Sequence, residues 1–502
     1  MSRRVVAADP RDARFDSVLS LPRYKHAHWG LLFVDVKTGE TLYAHQPDQL
    51  FAPASVTKCF TVAAALDALG ADFRFETPVK RRGEIDEAGR LAGDLILVAS
   101  GDLTFGGRTT EAGQIAFTDN DHTYANGARE TQLTTPDPLA GLNLLAQRVA
   151  AAGVRRVGGD VLIDDRLFEK AEGSGSGPGR VTPIMINDNA IDFVIEPTKV
   201  GQPARVTWRP ETSGLQIETR IETVAKGAKA TTWIREEGPG RLYIHGQAPE
   251  GHEPLVRIYE TPDAASHART LFIEALERAG VTVESSRLGR NAGQELPSSG
   301  DVAKLPTVAS FQSPPFSENA RLILKVSHNL HASTLPLLVA AKSGKRTLAE
   351  GLRIEQEFLR RAGVDVASIS FGGGAGGARA DYVTPRAAVQ LLRHMATRPD
   401  FPVYRRALPE MGVDGTLAKS VDANSAARGK AFAKTGTLTW DNLLNDNSLL
   451  TSKALAGYLT LPDGRDVAFA AFVNNVPLVD GIDSRTIGRD LGRLCELMIE
   501  AK

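Results

Sequence analysis

Cysteine is scarce in this chain: two among 502 residues, Cys59 and Cys495. That excludes a disulfide-stapled scaffold and a cysteine-rich zinc site. Long apolar runs are missing too, since nothing approaches the roughly 18 consecutive apolar residues of a membrane-spanning helix. The net charge is only −1, which removes the electrostatic reason to expect nucleic acid or an anionic membrane as partner. The N-terminal stretch MSRRVVAADPRDARFDSVLS has two arginines but no apolar h-region, so it reads as a cytoplasmic protein or as one without its export signal. What is present is an ordinary soluble composition, 42% hydrophobic, at a length that suggests two to four domains on a prior of roughly 150 residues each.

Both ends of the chain read alike. Gly30 to Val36 predicts a strand, Lys37-Thr38-Gly39-Glu40 a turn and Thr41 to Ala44 the return strand. A helix follows and ends at Gly70. Near the C-terminus Ala454–Thr460 and Val467–Val473 predict another strand pair around Pro462-Asp463-Gly464. A final helix then carries Ile487, Leu491, Leu494, Cys495 and Met498 on one stripe. Cys495 lies on that stripe and Cys59 one turn beyond Ser55, so both read as packing residues.

The middle is different. Strands are expected at Asp94–Ser100 and Val157–Asp164, helices at Leu142–Ala152 and Ala264–Ala279, a flexible loop at Glu172–Gly179, and β-type alternation over 194–258. The reading is a catalytic domain of residues 1–84 and 305–502, split by an insertion. Its larger part spans 85–193 and 259–304, with a β-rich module of 194–258 inside it.

Ser55-Val56-Thr57-Lys58 is the only Ser-x-x-Lys in the chain, and it stands where the first helix begins. Three residues apart is one helical turn on the same face. A serine hydroxyl is a poor nucleophile until a base removes its proton, and a neighbouring lysine can be that base. The pattern suggests acyl transfer through a serine ester. A helix-capping serine with a solvated lysine would look the same, so partners must be found.

Serine acyl-transfer enzymes that begin with Ser-x-x-Lys carry two further triplets, Ser-x-Asn and Lys-Thr-Gly. Each occurs twice here. Lys37-Thr38-Gly39 sits inside the predicted hairpin turn and is explained by that turn. Lys434-Thr435-Gly436 opens the β segment Ala431–Thr439, where a strand edge can present its backbone to an extended peptide and Gly436 can let that peptide come close. Ser317-Glu318-Asn319 begins a helix after Pro314-Pro315, and Ser317 reads as an N-cap. That leaves Ser327 and Asn329, in Lys325-Val326-Ser327-His328-Asn329.

These stretches, Phe51 to Lys58, Lys325 to Leu330 and Ala433 to Leu438, resemble the three signatures of the class C low-molecular-mass penicillin-binding proteins. Those are D-alanyl-D-alanine carboxypeptidases and endopeptidases of the bacterial cell wall. Gly412-Val413-Asp414-Gly415-Thr416-Leu417, Asn187-Asp188-Asn189, and Leu455-Ala456-Gly457-Tyr458 with Val473-Asn474-Asn475 are also similar to that family. The likeness spans about residues 28–498, in the family's order. Two positions depart from it: Ser333 replaces a common glutamate, and Gly373-Gly374-Ala375-Gly376 an Asp-Gly-Ser-Gly loop.

The resemblance implies an α+β fold, a transpeptidase domain like that of penicillin-binding proteins and serine β-lactamases. Its antiparallel sheet is flanked by helices and split by the insertion. It implies Ser55 as nucleophile, Lys58 as base and Ser327 as proton relay. Backbone N–H groups of Ser55 and Thr437 would form the oxyanion hole, Asn329 would hold the substrate amide, and Lys434, Thr435, Gly436 and Thr437 would form the subsite for the terminal carboxylate. The expected substrates are peptidoglycan stem peptides, with β-lactams as covalent inhibitors, no cofactor and no metal, and a periplasmic or extracellular location. Rival readings are a β-lactamase or esterase, and a weakly active cell-wall-binding protein.

Other patterns point nowhere specific. Gly372–Gly377 fits G-x-G-x-x-G, but no helix opens at once and no acidic residue follows about 20 positions on, so it reads as a flexible loop. His328 and His331 lack a third ligand. Asp119-Asn120-Asp121-His122 lacks the downstream glutamate of an ion loop.

Overall fold

The computed structural model describes residues 10–127, 130–175 and 177–500, with side chains from residue 13 on. The first nine residues and Ser176 of the 172–179 loop, both considered above, lie outside the described residues. Two compact units emerge. One holds the chain up to Phe73, Ala171–Val181 and everything from Phe316; the other is Arg74–Lys170 with Thr182–Pro315.

In the first unit, strands β1 (His28–Asp35), β2 (Thr41–His45), β3 (Ala431–Asn442), β4 (Asn447–Thr460) and β5 (Asp466–Asn474) form an antiparallel sheet in the order β3-β4-β5-β1-β2. The chain's two ends meet here, because β1 pairs with β5 at Gly30↔Phe472 and Leu32↔Ala470. A fully buried seam results in which Phe33 stacks on Phe469 at 5.3 Å. The final helix, Ser484–Glu500, lays Ile487, Leu491, Leu494, Cys495 and Met498 on the same core, as its spacing predicts. The Lys37-Thr38-Gly39 triplet is the β1–β2 turn. Asp35 accepts the backbone N–H groups of Lys37 and Thr38, and Gly39 has φ 77°.

Helices α1 (Thr57–Leu69), α2 (Phe316–Val326), α3 (Asn329–Lys342) and α4 (Leu348–Arg361) also belong to this unit, with α1 packed against the other three. Apolar residues on nearly every side of α1 explain its burial from Thr57 to Leu66. Ser317 lies inside the first turn of α2 rather than at its cap, and its N–H donates to the Ala71 carbonyl.

The second unit is built on a four-stranded sheet, Thr307–Gln312, Glu76–Arg82, Asp94–Val98 and Val161–Asp164 in that order. Thr77 pairs with Phe311, so the first and last strands of this unit are neighbours although some 230 residues of chain separate them. That pairing is why the unit begins at Arg74 and ends at Pro315, outside the 84/85 and 304/305 boundaries read from sequence. Helices Ala140–Ala151 and Ala264–Arg278 share a core with this sheet. A separate small core, with Phe193, Ile221 and Ile244, lies between two three-stranded sheets running from Ala190 to Glu260.

The Asp121-His122 pair, considered above as part of an ion loop, belongs to a buried charge network in this unit. Arg108 binds Asp121 and Asp188, while His122 lies between Asp188 and Asp192. Burial works against a charge on His122, but Asp192 and Asp188 outweigh it and push the imidazole up to about 10. Arg108 and His122, with Arg209 on Asp192 at 3.1 Å, thus supply the positive charge that these three carboxylates need.

Candidate active site

Ser55 is delivered by a clamped peptide. Asn474, at the end of β5, accepts the Ala52 N–H at 2.8 Å and donates to the Ala52 carbonyl, which also takes the Ser452 hydroxyl at 2.6 Å. Ala54 then adopts φ 47°, uncommon for a residue with a Cβ. The chain makes one tight turn of 3₁₀ helix, Ala54–Val56, before α1 starts at Thr57. Ser55 therefore sits in that turn, two residues before the helix in which it was expected. It is partly buried, within a stretch that is otherwise mostly buried.

Lys58 is fully buried, and its Nζ has three oxygens around it: Ser55 Oγ at 2.8 Å, Asn329 Oδ1 at 2.8 Å and the Ala375 carbonyl at 2.7 Å. A carbonyl and an amide oxygen can only accept. A neutral amine must therefore spend its two N–H groups on Asn329 and Ala375, which aims its lone pair at the Ser55 hydroxyl. Burial holds Lys58 well below the ordinary lysine range, with the Lys434 charge as second cause. Cys59 contributes no charge at neutral pH, since burial pushes its thiol up to about 11.

Ser327 occupies the break between α2 and α3 with φ 64°, and Asn329 opens α3. The strained backbone at Ser327 is of the kind found at functional sites. Asn329, expected to face a substrate amide, turns its oxygen to Lys58. His328 caps α3 by accepting the His331 N–H, and the two rings stack at 3.6 Å.

Lys434, Thr435, Gly436 and Thr437 lie on β3, the edge strand of the sheet. Lys434 is buried, and burial lowers it to about 7. Thr435 bonds Thr416 at 2.7 Å. Gly436 faces the Ser55 turn: a Cβ there would come within 2.4 Å of the Pro53 carbonyl and 3.0 Å of the Ala54 Cβ. Its glycine is thus required by the approach of the strand to the Ser55 turn, a reason different from the approach of a peptide expected from sequence.

The Gly373–Gly376 segment is packed backbone, where a flexible loop was expected. Pro336 inside α3 has no N–H for the Ala332 carbonyl, and Gly374 lies against that carbonyl so closely that a Cβ would meet it at 2.1 Å. At Gly376, with φ 82°, a Cβ would meet the Ala54 carbonyl at 2.0 Å. Asp381 staples the segment by accepting the N–H groups of Gly372 and Ala378. In this segment the Ala375 backbone carbonyl holds Lys58. The other departure, Ser333, is a buried hydroxyl on α3.

Two contributors escape a reading of motifs. Lys453 on β4 stands opposite Thr437 and donates to its hydroxyl at 2.8 Å. Burial lowers it to about 8, with Asp483 acting against that shift. Asp414, from the Gly412–Leu417 stretch, accepts two bonds from the buried Lys325 of α2 at 2.6 and 2.8 Å. Together with Thr416 on Thr435, it ties the segment before Ser327 to the edge strand.

The chain matches the pattern of the D-Ala-D-Ala carboxypeptidase 3 (S13) family over residues 12–496. It is 29% identical over 488 residues to a D-alanyl-D-alanine carboxypeptidase of Actinomadura sp. (strain R39), covering 92% of this chain and 80% of that one. It is 22% identical to the D-alanyl-D-alanine carboxypeptidase DacB of Haemophilus influenzae, covering 91% and 87%. The crystal structure of penicillin binding protein 4 (dacB) from Haemophilus influenzae superimposes with a TM-score of 0.69 at 19% identity, over 95% of this chain and 98% of that one.

Proposed function

The chain belongs to the D-Ala-D-Ala carboxypeptidase 3 (S13) family and is a penicillin-binding serine hydrolase; we propose that its reaction on peptidoglycan stem peptides runs through an ester on Ser55. The observation that carries this is the aim of the Lys58 lone pair, fixed by Asn329 and Ala375. Ser55 Oγ attacks the carbonyl carbon of the terminal D-Ala-D-Ala bond while its proton passes to Lys58 Nζ. Backbone N–H groups of Ser55 and Thr437 take the oxyanion. The C–N bond then breaks, and Ser327 relays a proton to the departing amine. Water releases the acyl group and restores the serine. Lys434, Thr435 and Thr437 hold the terminal carboxylate. Such substrates lie outside the cytoplasm, so we place the enzyme in the periplasm or outside the cell.

Incubation with a fluorescent penicillin, beside an assay of D-Ala release from a muropeptide, tests this. A persistent covalent label and released D-Ala are expected. No label on the intact protein would sink the reading, rapid release of hydrolysed lactam would turn it into a β-lactamase, and label without D-Ala would leave a binding protein.

Two variants probe how the site is held. Gly436→Val should push β3 off the Ser55 turn, and a displacement near 1 Å costs about a hundredfold in rate. The acylation rate should fall by that factor; an unchanged rate would mean that the close approach does not matter. Lys453→Ala removes a cation from the Thr437 hydroxyl. A charge-assisted contact of about 1.4 kcal/mol predicts roughly a tenfold rise in KM for a carboxylate-bearing peptide. A substrate amidated at its C-terminus should show no such rise, and an equal rise for both would exclude carboxylate binding by Lys453.

A further inference from the structure

Away from Ser55, in the first unit, a cavity of about 330 Å³ opens between α4 and the segment from Val366 to Phe371. Leu352, Leu359, Val366, Ile369 and Phe371 give it an apolar wall, and Arg353, Gln356 and Ser370 are exposed around its opening. Glu355 lies on the inward stripe of α4 with Gly351, Phe358 and Leu359 and is 4% exposed. Its Oε1 is buried and meets no hydrogen-bond partner among the described residues. A carboxyl in such a place costs stability unless something satisfies it.

We propose that this cavity binds a small primary amine with an apolar body, its ammonium group seated on Glu355. The volume is at the lower end of small-ligand sites, which combine apolar walls with a few polar groups, and Glu355 is the buried one here. Burial alone pushes Glu355 up to about 8, so the free carboxyl is mostly protonated at neutral pH. An arriving ammonium ion favours the carboxylate, and Glu355 gives up its proton to solvent as the ion pair forms.

The cavity wall continues into the catalytic backbone. Phe371 rests edge-on against Phe60 of α1, with ring centroids 5.2 Å apart. Four residues beyond Phe371, the Ala375 carbonyl holds Lys58. A ligand that moves Phe371 therefore acts on the segment that aims the base, and occupancy should change the rate at which Ser55 is acylated.

Benzylamine is the probe, with benzyl alcohol as its uncharged counterpart. Titration calorimetry at neutral pH, in two buffers of different ionisation enthalpy, should show benzylamine binding with net proton release. Glu355→Gln, which keeps the shape of the side chain, should weaken it about tenfold and leave benzyl alcohol unaffected. Equal affinity of wild type and variant for benzylamine overturns the proposal. If the variant does not fold, binding to wild type without proton release overturns it equally. The calorimetry does not depend on chemistry at Ser55. Acylation by fluorescent penicillin with and without saturating benzylamine tests the coupling, and an unchanged rate removes that part.

Discussion

Ser55→Ala should leave no covalent label after incubation with fluorescent penicillin, and D-Ala release should fall by about a millionfold, the scale seen when a serine hydrolase loses its nucleophile. The fold should survive. The Ser55 hydroxyl bonds Lys58, while the turn itself is held by Asn474 and Ser452 on Ala52 and by the buried Pro53, Ala54 and Val56. Alanine keeps these. The carboxylate subsite proposed on β3 is also untouched, so the variant should still bind an intact stem peptide without cleaving it. Intact-mass measurement after β-lactam treatment gives a direct reading. A mass shift on Ser55→Ala would move the nucleophile elsewhere, with Ser327 as the first residue to test.

The parts of this site that could be read from sequence are those whose chemistry lies in contiguous side chains. Ser55 and Lys58 are three residues apart, and Lys434, Thr435 and Gly436 are consecutive on one strand, so local spacing sets their geometry. The rejected duplicates were legible too, because Lys37-Thr38-Gly39 is explained by the turn it makes. Lys453 was not, since only the β3–β4 register puts it opposite Thr437. Ala375 acts through a carbonyl, and a backbone oxygen leaves no trace in residue type. Glycine was ambiguous for a related reason. It marks either freedom to move or room for a neighbour, and at Gly374, Gly376 and Gly436 the neighbours decide for room. The domain boundaries shifted because the pairing of Thr77 with Phe311 is a long-range contact that no local pattern announces.

Lys58→Ala should lower the rate of Ser55 acylation by on the order of 10⁴, the upper range for loss of a positioned general base. The sign of the pH dependence follows from the two lysines. Lys58 must be neutral to take the proton, so activity is lost as pH falls through its depressed value. Lys434 must be charged to hold a carboxylate, so in the free enzyme activity is lost as pH rises past about 7. The two groups are coupled, and the limbs of the profile belong to the pair. A bound carboxylate stabilises the charged form of Lys434 and moves its loss to higher pH. The basic limb of kcat, which reports the enzyme–substrate complex, should therefore lie above that of kcat/KM, which reports the free enzyme. Lys58→Ala should abolish the acidic limb while leaving the basic one in place. Profiles of wild type and Lys58→Ala with the same peptide test both statements. An acidic limb that persists in Lys58→Ala would show that another group accepts the Ser55 proton. Coincident basic limbs for kcat and kcat/KM would show that Lys434 does not meet the substrate's carboxylate.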